Sequence, residues 1–316
     1  MGEKKRLDFE NKKKGEEEVE IEIQLSDRQK KELKQLLAKC EDRDQRKQDF
    51  FMEQEWNERA DCPCFFLLYK KEENRKRSLV CAVSAFIIEE EAELSAVTQA
   101  ERRGEGLFSK LLDIACSVLA EHKIKQVSIR IKEENKIGRQ ILKHWGWRKG
   151  QTDCLMVLLP EQIEKLQQIQ GYISQEPKRT IKYLKEDEIT ENWDKLVEVH
   201  ASAFGYLQKE SEWIVENHVS EGMKLWGYWA GDKIIGICFT METEQDYFLS
   251  AVSIRKEEQQ KGYGEWFLQK VLIELWKQRK GNVFLQVFRE NNRAVRLYQK
   301  LGFSFKERLD TYYWEF

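Results

Sequence analysis

No apolar run in the 316-residue chain approaches the ~18 residues that a membrane span needs. The longest stretches, such as Cys64 to Tyr69 and Leu155 to Leu159, are far too short. The start, Met1 to Arg6, runs into further charge without the apolar segment of an export signal, and Arg6 stands where a myristoylation signal needs Ser or Thr. No membrane or export role is expected. A surplus of one charge is missing too: 54 Lys+Arg against 56 Asp+Glu leaves −2, which argues against a globally basic nucleic-acid binder. Cysteine pairs are also lacking. The seven (40, 62, 64, 81, 116, 154, 238) form an odd, scattered set in a chain large enough to fold without staples, so a reducing cytoplasm is the expected setting. Cys62-Pro63-Cys64 has no second Cys or His pair at zinc-ligand spacing, and no metal is expected. What the chain does have is apolar material, 41% hydrophobic and 11% aromatic with ten Trp. That excludes a disordered chain, and the length suggests about two domains.

Residues 1–18 read as a charged, solvated tail, with Lys12 to Lys14 followed by Glu16 to Glu18. Glu20 to Leu25 alternates like a strand, and Ser26 with Gln29 reads as a capping box that opens a helix to about Cys40. The informative pattern is a repeat. Leu94-Ser95-Ala96-Val97 matches Leu249-Ser250-Ala251-Val252, and each is followed by a charged stretch and Gly-x-Gly. Aligning Gly104 with Gly262 gives an offset of 158, Gly146 with Gly302 gives 156, and the opening strands at Ile21 and Ile181 give 160. The expectation is two copies of one α/β domain, at 19–160 and 180–316, joined by a linker at 161–179: Pro160 can start a short helix ahead of Gly171, Pro177 and Lys178. In the second copy, strands over Lys233 to Glu242 and Tyr247 to Ile254 flank a turn at Thr243 to Asp246. A helix follows over Glu265 to about Arg279, a strand over Val283 to Phe288, a helix over Asn291 to Lys300, and a closing strand from Phe303. The first copy repeats this with Val83 to Ile88, Leu94 to Val97, Leu107 to Leu119, Gln126 to Ile131, Ile137 to His144 and the closing strand Leu155 to Leu159. Each copy is expected to be a mixed sheet with helices on both faces.

A glycine turn between strand and helix points free N–H groups and a positive helix end at an anion. Here it reads Gln259-Gln260-Lys261-Gly262-Tyr263-Gly264. It is neither a dinucleotide fingerprint, since Phe267 replaces the third glycine, nor a P-loop, since no Gly-Lys-Ser/Thr follows. Gln-x-x-Gly-x-Gly, with Ile254 eight residues before Gly262, resembles the acyl-CoA pyrophosphate loop of the GNAT superfamily of N-acetyltransferases. Asn291-Asn292-Arg293-Ala294-Val295-Arg296-Leu297-Tyr298-Gln299-Lys300-Leu301-Gly302-Phe303 resembles that family's second signature. The resemblance is strong over 180–316 and fainter over 20–159, so the whole chain is similar to tandem, mycothiol synthase-like members.

The resemblance implies two acyl-CoA N-acyltransferase folds, with acetyl-CoA as co-substrate, no metal, and a primary amine as acceptor. Val252, Ser253 and Ile254 would pair with pantetheine as an added strand, Gln259 to Gly264 would hold the pyrophosphate, and Asn291 would sit near the pantetheine arm. Tyr298, near the sulfur, would be the general acid that protonates the leaving thiolate; a core aromatic is its structural alternative. Asn291 also suits a helix cap. A base is sought among Glu242, Glu244 and Asp246 around the turn, with Glu244 the choice and an exposed acidic turn the alternative. His200 and His218 titrate in a useful range but lie outside both signatures. The first copy departs from the pattern: Glu101 stands for Gln259 and Leu142 for Tyr298, while Asn135 persists, Gly138 replaces the alanine and Trp147 the phenylalanine. It is expected to be degenerate, although Glu89 to Glu91 and Glu93 offer acids. The rival function is a non-catalytic acyl-CoA sensor. Nucleic-acid binding through Lys12 to Lys14 and Arg75 to Arg77 is a weaker rival, because those clusters are short and neighboured by acids. A monomer and a homodimer both fit.

Overall fold

The computed structural model describes residues 17–45, 50–54, 57–71, 77–170 and 179–316. The Lys12 to Lys14 run, Arg75, Lys76, and the linker glycine and proline at 171 and 177 lie outside the described residues. In chain order the elements are β1 (Glu17–Glu22), α1 (Asp27–Asp44), β2 (Phe65–Lys71), β3 (Arg77–Ile88), β4 (Glu91–Thr98), α2 (Leu107–Glu121), β5 (Gln126–Lys132), α3 (Lys136–His144) and β6 (Arg148–Leu158). They continue with α4 (Pro160–Gln170), β7 (Arg179–Tyr183), α5 (Glu186–Glu191), α6 (Trp193–Phe204), α7 (Gln208–Ser220), β8 (Lys224–Ala230), β9 (Lys233–Glu242) and β10 (Tyr247–Ile254). The last are α8 (Tyr263–Gln278), β11 (Val283–Phe288), α9 (Asn292–Lys300) and β12 (Ser304–Glu315). The charged tail is therefore shorter than expected, since Glu17 and Glu18 already belong to β1. No described helix is long and apolar enough to cross a membrane.

Two compact units result, one of residues 1–150 with 309–316, the other of 151–308. Unit 1 orders its strands β1-β2-β3-β4-β5-β12, and unit 2 orders them β6-β11-β10-β9-β8-β7. This division differs from a cut at 161–179, part of which is the helix α4. The strand expected to close the first copy, within β6, pairs antiparallel with β11 of unit 2 from Asp153 to Leu158. Residues 309–315 of β12 close unit 1 against β5. Each unit takes its last strand from the other half of the sequence.

Local chemistry sets the elements. Ser26 and Gln29 make the capping box of α1, with the Ser26 N–H donating to Gln29 Oε1 at 2.8 Å, and Leu33, Leu36 and Cys40 turn inward. In unit 1 they join a core built on Phe65 to Tyr69, Val80 to Val83 and the apolar face of α2. Unit 2 buries two clusters. Phe267, Leu268, Val271 and Leu272 of α8 recur at three and four and pack with Ile235, Cys238, Leu249, Leu285 and Tyr298. Leu196, Val199 and Val215 of α6 and α7 pack with Ile234, Ile237 and Phe239. Alternate residues of β9 thus face opposite layers, and the sheet of unit 2 is covered on both sides.

Candidate active site

The site of unit 2 grows from β10. Its antiparallel register with β9 pairs Ser250 with Phe239 and Ser253 with Ile237, so one extra residue is inserted on β10. Ala251 takes up the slack in the left-handed region, at φ 46°. Gly236, across from Ile254, permits the close approach: a Cβ there would meet Ile254 Cδ1 at 2.6 Å and the Ser253 carbonyl at 3.1 Å. The bulge bends β10 away from β11. The two strands pair in parallel only over Tyr247–Leu249 and Val283–Leu285, although β10 runs on to Ile254 and β11 to Phe288. From Ser250 onward they splay. The free edge of Val252, Ser253 and Ile254 has no strand partner on the β11 side among the described residues, so its amides and carbonyls can receive an extended ligand.

The glycine loop closes one end of this opening. Arg255, 6% exposed, donates to the Ile234 carbonyl at 2.7 Å and grips Glu198 through both Nη atoms at 2.8 and 3.0 Å, which fixes the loop to β9 and α6. Gln259 donates to the Ile254 carbonyl at 2.9 Å and accepts from Arg293 at 2.6 Å. Gln260 and Gly262 then take positive φ, 64° and 81°, and Gly262 caps α8 with no side-chain acceptor. The first amides of α8 are therefore available to an anion. Lys261 pairs with Glu258 at 2.9 Å, and Tyr263 accepts from Arg179 at 2.8 Å. Gly264 faces Ile254 and Leu297, which a Cβ would touch at ordinary distances of 3.7 and 3.4 Å.

Asn291 caps α9, its Oδ1 accepting from the Ala294 N–H at 3.2 Å. Two turns on, Tyr298 is 7% exposed and meets Phe303 edge-on at 5.7 Å. Its hydroxyl has no hydrogen-bond partner among the described residues. Burial, with a smaller contribution from the Cys238 thiol, raises its pKa, so the phenol stays protonated. Cys238 lies between Ile237 and Phe239, the residues opposite the bulge. Cys238 and Tyr298 belong to the same buried cluster.

The acidic turn is elsewhere. Tyr247, where β10 leaves the turn, lies about 13 Å along the strand from Ala251 at ~3.3 Å per residue. Glu244 is exposed, and its carbonyl accepts from Arg279. Glu242 pairs with Lys224 at 3.2 Å, and Asp246 holds the Asn282 amide nitrogens at 3.0 and 2.8 Å to start β11. The structure does not bring Glu244 to the opening. His218, on α7, is placed nearer: its Nε2 lies 2.9 Å from Ser250 Oγ. Sequence reading missed α5 to α7 and β8, which carry it. The inward spacing of Leu196, Val199 and His200 on α6 is the signal that points to them.

From the 3-10 turn before the glycine loop onward, unit 1 repeats the framework at one constant offset, 156. The 3-10 turns Ala100–Arg102 and Lys256–Glu258, the caps Gly106 and Gly262, the caps Asn135 and Asn291, and Gly146 and Gly302 all correspond at that spacing. Aligning Gly104 with Gly262 is therefore off by two, and Arg103, not Glu101, stands in the place of Gln259. The hydrogen bonds agree: Arg103 Nε donates to the Thr98 carbonyl at 3.3 Å as Gln259 does to Ile254. Arg103 is also clasped by Asp44 at 2.8 Å, and Glu105 by Lys70 at 2.7 Å. The acids Glu90 and Glu93 are paired with Lys125 and Arg130. β4 and β5 pair only over Glu91–Leu94 and Gln126–Ile129, yet the β3–β4 register is unbroken, so β4 lacks the bulge of β10. Fully buried Leu142 fills the place of the phenol.

Residues 190–303 match the acetyltransferase (GNAT) family. Those residues form a GNAT-type domain. The GNAT fold extends well beyond the matched residues. A GCN5-related N-acetyltransferase from Sphaerobacter thermophilus aligns over 90% of this chain and 91% of its own, with a TM-score of 0.63 at 16% identity. A tandem GNAT protein from the clavulanic acid biosynthesis pathway aligns over 95% and 98%, with a TM-score of 0.59 at 13% identity. A fungal glucosamine N-acetyltransferase region within a larger β-N-acetylglucosaminidase gives 0.59 at 12% identity, over 94% of this chain and 38% of that one. No curated protein sequence matches. At these identities the likenesses establish the fold, that of a tandem GNAT protein. Among the described residues no group of His, Cys, Asp and Glu is arranged to hold a metal.

Proposed function

We propose that the chain is an acetyl-CoA-dependent N-acetyltransferase that acts on a primary amine, with the chemistry in unit 2. The observation that carries this is the bulged, splayed β10, which opens a strand-shaped slot between a capless helix start and a phenol lacking a partner. The slot fits an acyl-CoA. Amides of Gln259 to Gly264 take the pyrophosphate, aided by Lys261 and the positive end of α8, and the edge of Val252 to Ile254 pairs with the pantetheine amides. Asn291 frames the far side of the slot while capping α9.

The free amine attacks the thioester carbonyl carbon, giving a tetrahedral adduct with an alkoxide and a protonated nitrogen. As the C–S bond breaks, Tyr298 gives its proton to sulfur and is reprotonated by the adduct's nitrogen, leaving an amide and a thiol. A raised pKa suits a donor that must hold its proton until the thiolate appears. For unit 1, Leu142 and the unbroken β4 favour ligand binding without transfer.

Calorimetric titration with acetyl-CoA, followed by release of CoA thiol across an amine panel, tests the reading. Micromolar binding with transfer to at least one amine is the expected result. Binding without transfer to any member would leave a sensor, and no binding would remove the assignment.

A further inference from the structure

Proton removal from the acceptor needs a group on the amine's side of the slot. An alkyl ammonium has a pKa near 10.4, so it reaches the site protonated and cannot attack until a base takes that proton. At the far end of β10, Glu242 is committed to Lys224 and Arg279 and Asp246 to Asn282, while Glu244 is exposed.

We propose that Ser250 and His218 form the relay that receives this proton, Ser250 touching the amine and His218 acting through it. This rests on the transferase reading. Ser250 is the last residue before the bulge and lies directly opposite Phe239, so it shares the face covered by α6 and α7. Tyr298 and Cys238 belong to the other face, under α8 and α9. Base and acid thus flank the bulge from opposite sides of the sheet, with the splayed opening between them. The direction of the relay follows from hydrogen-bond chemistry. His218 Nδ1 lies 2.8 Å from the Ile214 carbonyl, which has no proton to give, so Nδ1 carries the hydrogen. Nε2 is then a bare lone pair, and at 2.9 Å it accepts from the Ser250 hydroxyl. Oxygen lone pairs of Ser250 are left to accept from an incoming N–H. As the ammonium yields its proton to Oγ, Oγ passes its own to Nε2. His218 becomes an imidazolium, which later loses the proton to water.

His218 packs on Phe239 at 4.8 Å between ring centroids. Its ionisable neighbour on α6 is His200, which is 2% exposed, bonded to Ser211 at 3.0 Å, and held neutral by burial.

The test compares two acceptors at pH 8 with acetyl-CoA: phenethylamine, present as ammonium, and phenylhydrazine, present as free base. Ser250→Ala and His218→Gln are expected to lower kcat on phenethylamine about 100-fold, with KM changed less than about 3-fold and phenylhydrazine slowed less than about 5-fold. Ser250→Thr, which keeps a hydroxyl, should recover most of the loss. Equal losses on both acceptors, or no loss on either, would overturn the relay. Independently of turnover, long-range proton–nitrogen NMR of histidine-labelled protein should show His218 as the Nδ1–H tautomer, with an Nε2 shift that moves in Ser250→Ala. An Nε2–H tautomer would sink the proposal. Should the wild type transfer to no amine of the panel, the transferase reading fails, while the nitrogen spectrum still decides the hydrogen bond.

Discussion

Tyr298 joins a buried ring to a hydroxyl that makes no hydrogen bond within the described residues. Truncating that hydroxyl should therefore separate function from stability. Tyr298→Phe is expected to lower turnover by 10² to 10³ and leave the acetyl-CoA affinity within about 3-fold, while the melting temperature holds or rises. Steady-state kinetics, titration and thermal melts of the same sample check the three parts. His200 offers a second test at this scale. Burial lowers its pKa from 6.5 to about 4, so between those values the unfolded chain binds a proton that the native state does not. Stability then rises with pH across that window and is lost as pH falls from 6.5 toward 4, by up to about 3 kcal/mol. His200→Gln should flatten this slope in denaturant titrations at pH 4.5 and 7. Residues inside a contiguous signature, such as Gly262, Asn291 and Tyr298, are legible in the sequence because one helix turn or loop sets their geometry. His218 is not, because its partner Ser250 lies 32 residues away and only packing joins them.

At the scale of elements, β10 and the loop after it act as one device: the bulge opens the slot and the loop aims amides into it. Gly262 is the hinge of the second part, at φ 81° with open space where a Cβ would go. Gly262→Ala meets no clash, so its cost is conformational, about 1 kcal/mol. The larger expected effect is a 10-fold or greater loss of acetyl-CoA affinity as the loop relaxes, readable by calorimetry beside urea unfolding. Strands β9, β10 and β11 follow directly from the alternation and turn residues that predict them. The bulge is less visible, since Leu249-Ser250-Ala251-Val252 and Leu94-Ser95-Ala96-Val97 are identical, yet only the former is broken. The difference comes from across the sheet, where Gly236 gives β10 room. The constant 156-residue offset is likewise obscured, because the extra glycine at 104 invites a shift of two.

For the whole molecule, the exchanged closing strands are the main departure from a simple tandem repeat. Sequence repetition cannot foretell them, because β5 and β11 are equivalent edges and either closing strand suits either one. The consequence is testable by deletion. Asp310 is fully buried between Arg139 at 3.3 Å and Lys149 at 2.8 Å, and Tyr312 is 1% exposed. Asp310→Ala should cost about 3 kcal/mol by leaving two cations without their carboxylate. Removing residues 309–316 should strip hydrogen-exchange protection from β5 and α3 in unit 1 and leave α8 protected. Loss of protection throughout α8 instead would show that the two units do not divide as described.

The same exchange gives synthesis an awkward order. Unit 1 has all but its final strand once residue 150 has emerged, but that strand is encoded after residue 308. At roughly 5 to 20 residues per second, the nascent edge at β5 waits about 8 to 30 s for its partner. During that wait Val127, Ile129 and Ile131 are open to pairing with β6, the strand made next, so the ribosome presents the wrong closing strand first and the native arrangement must win by displacement or by patience.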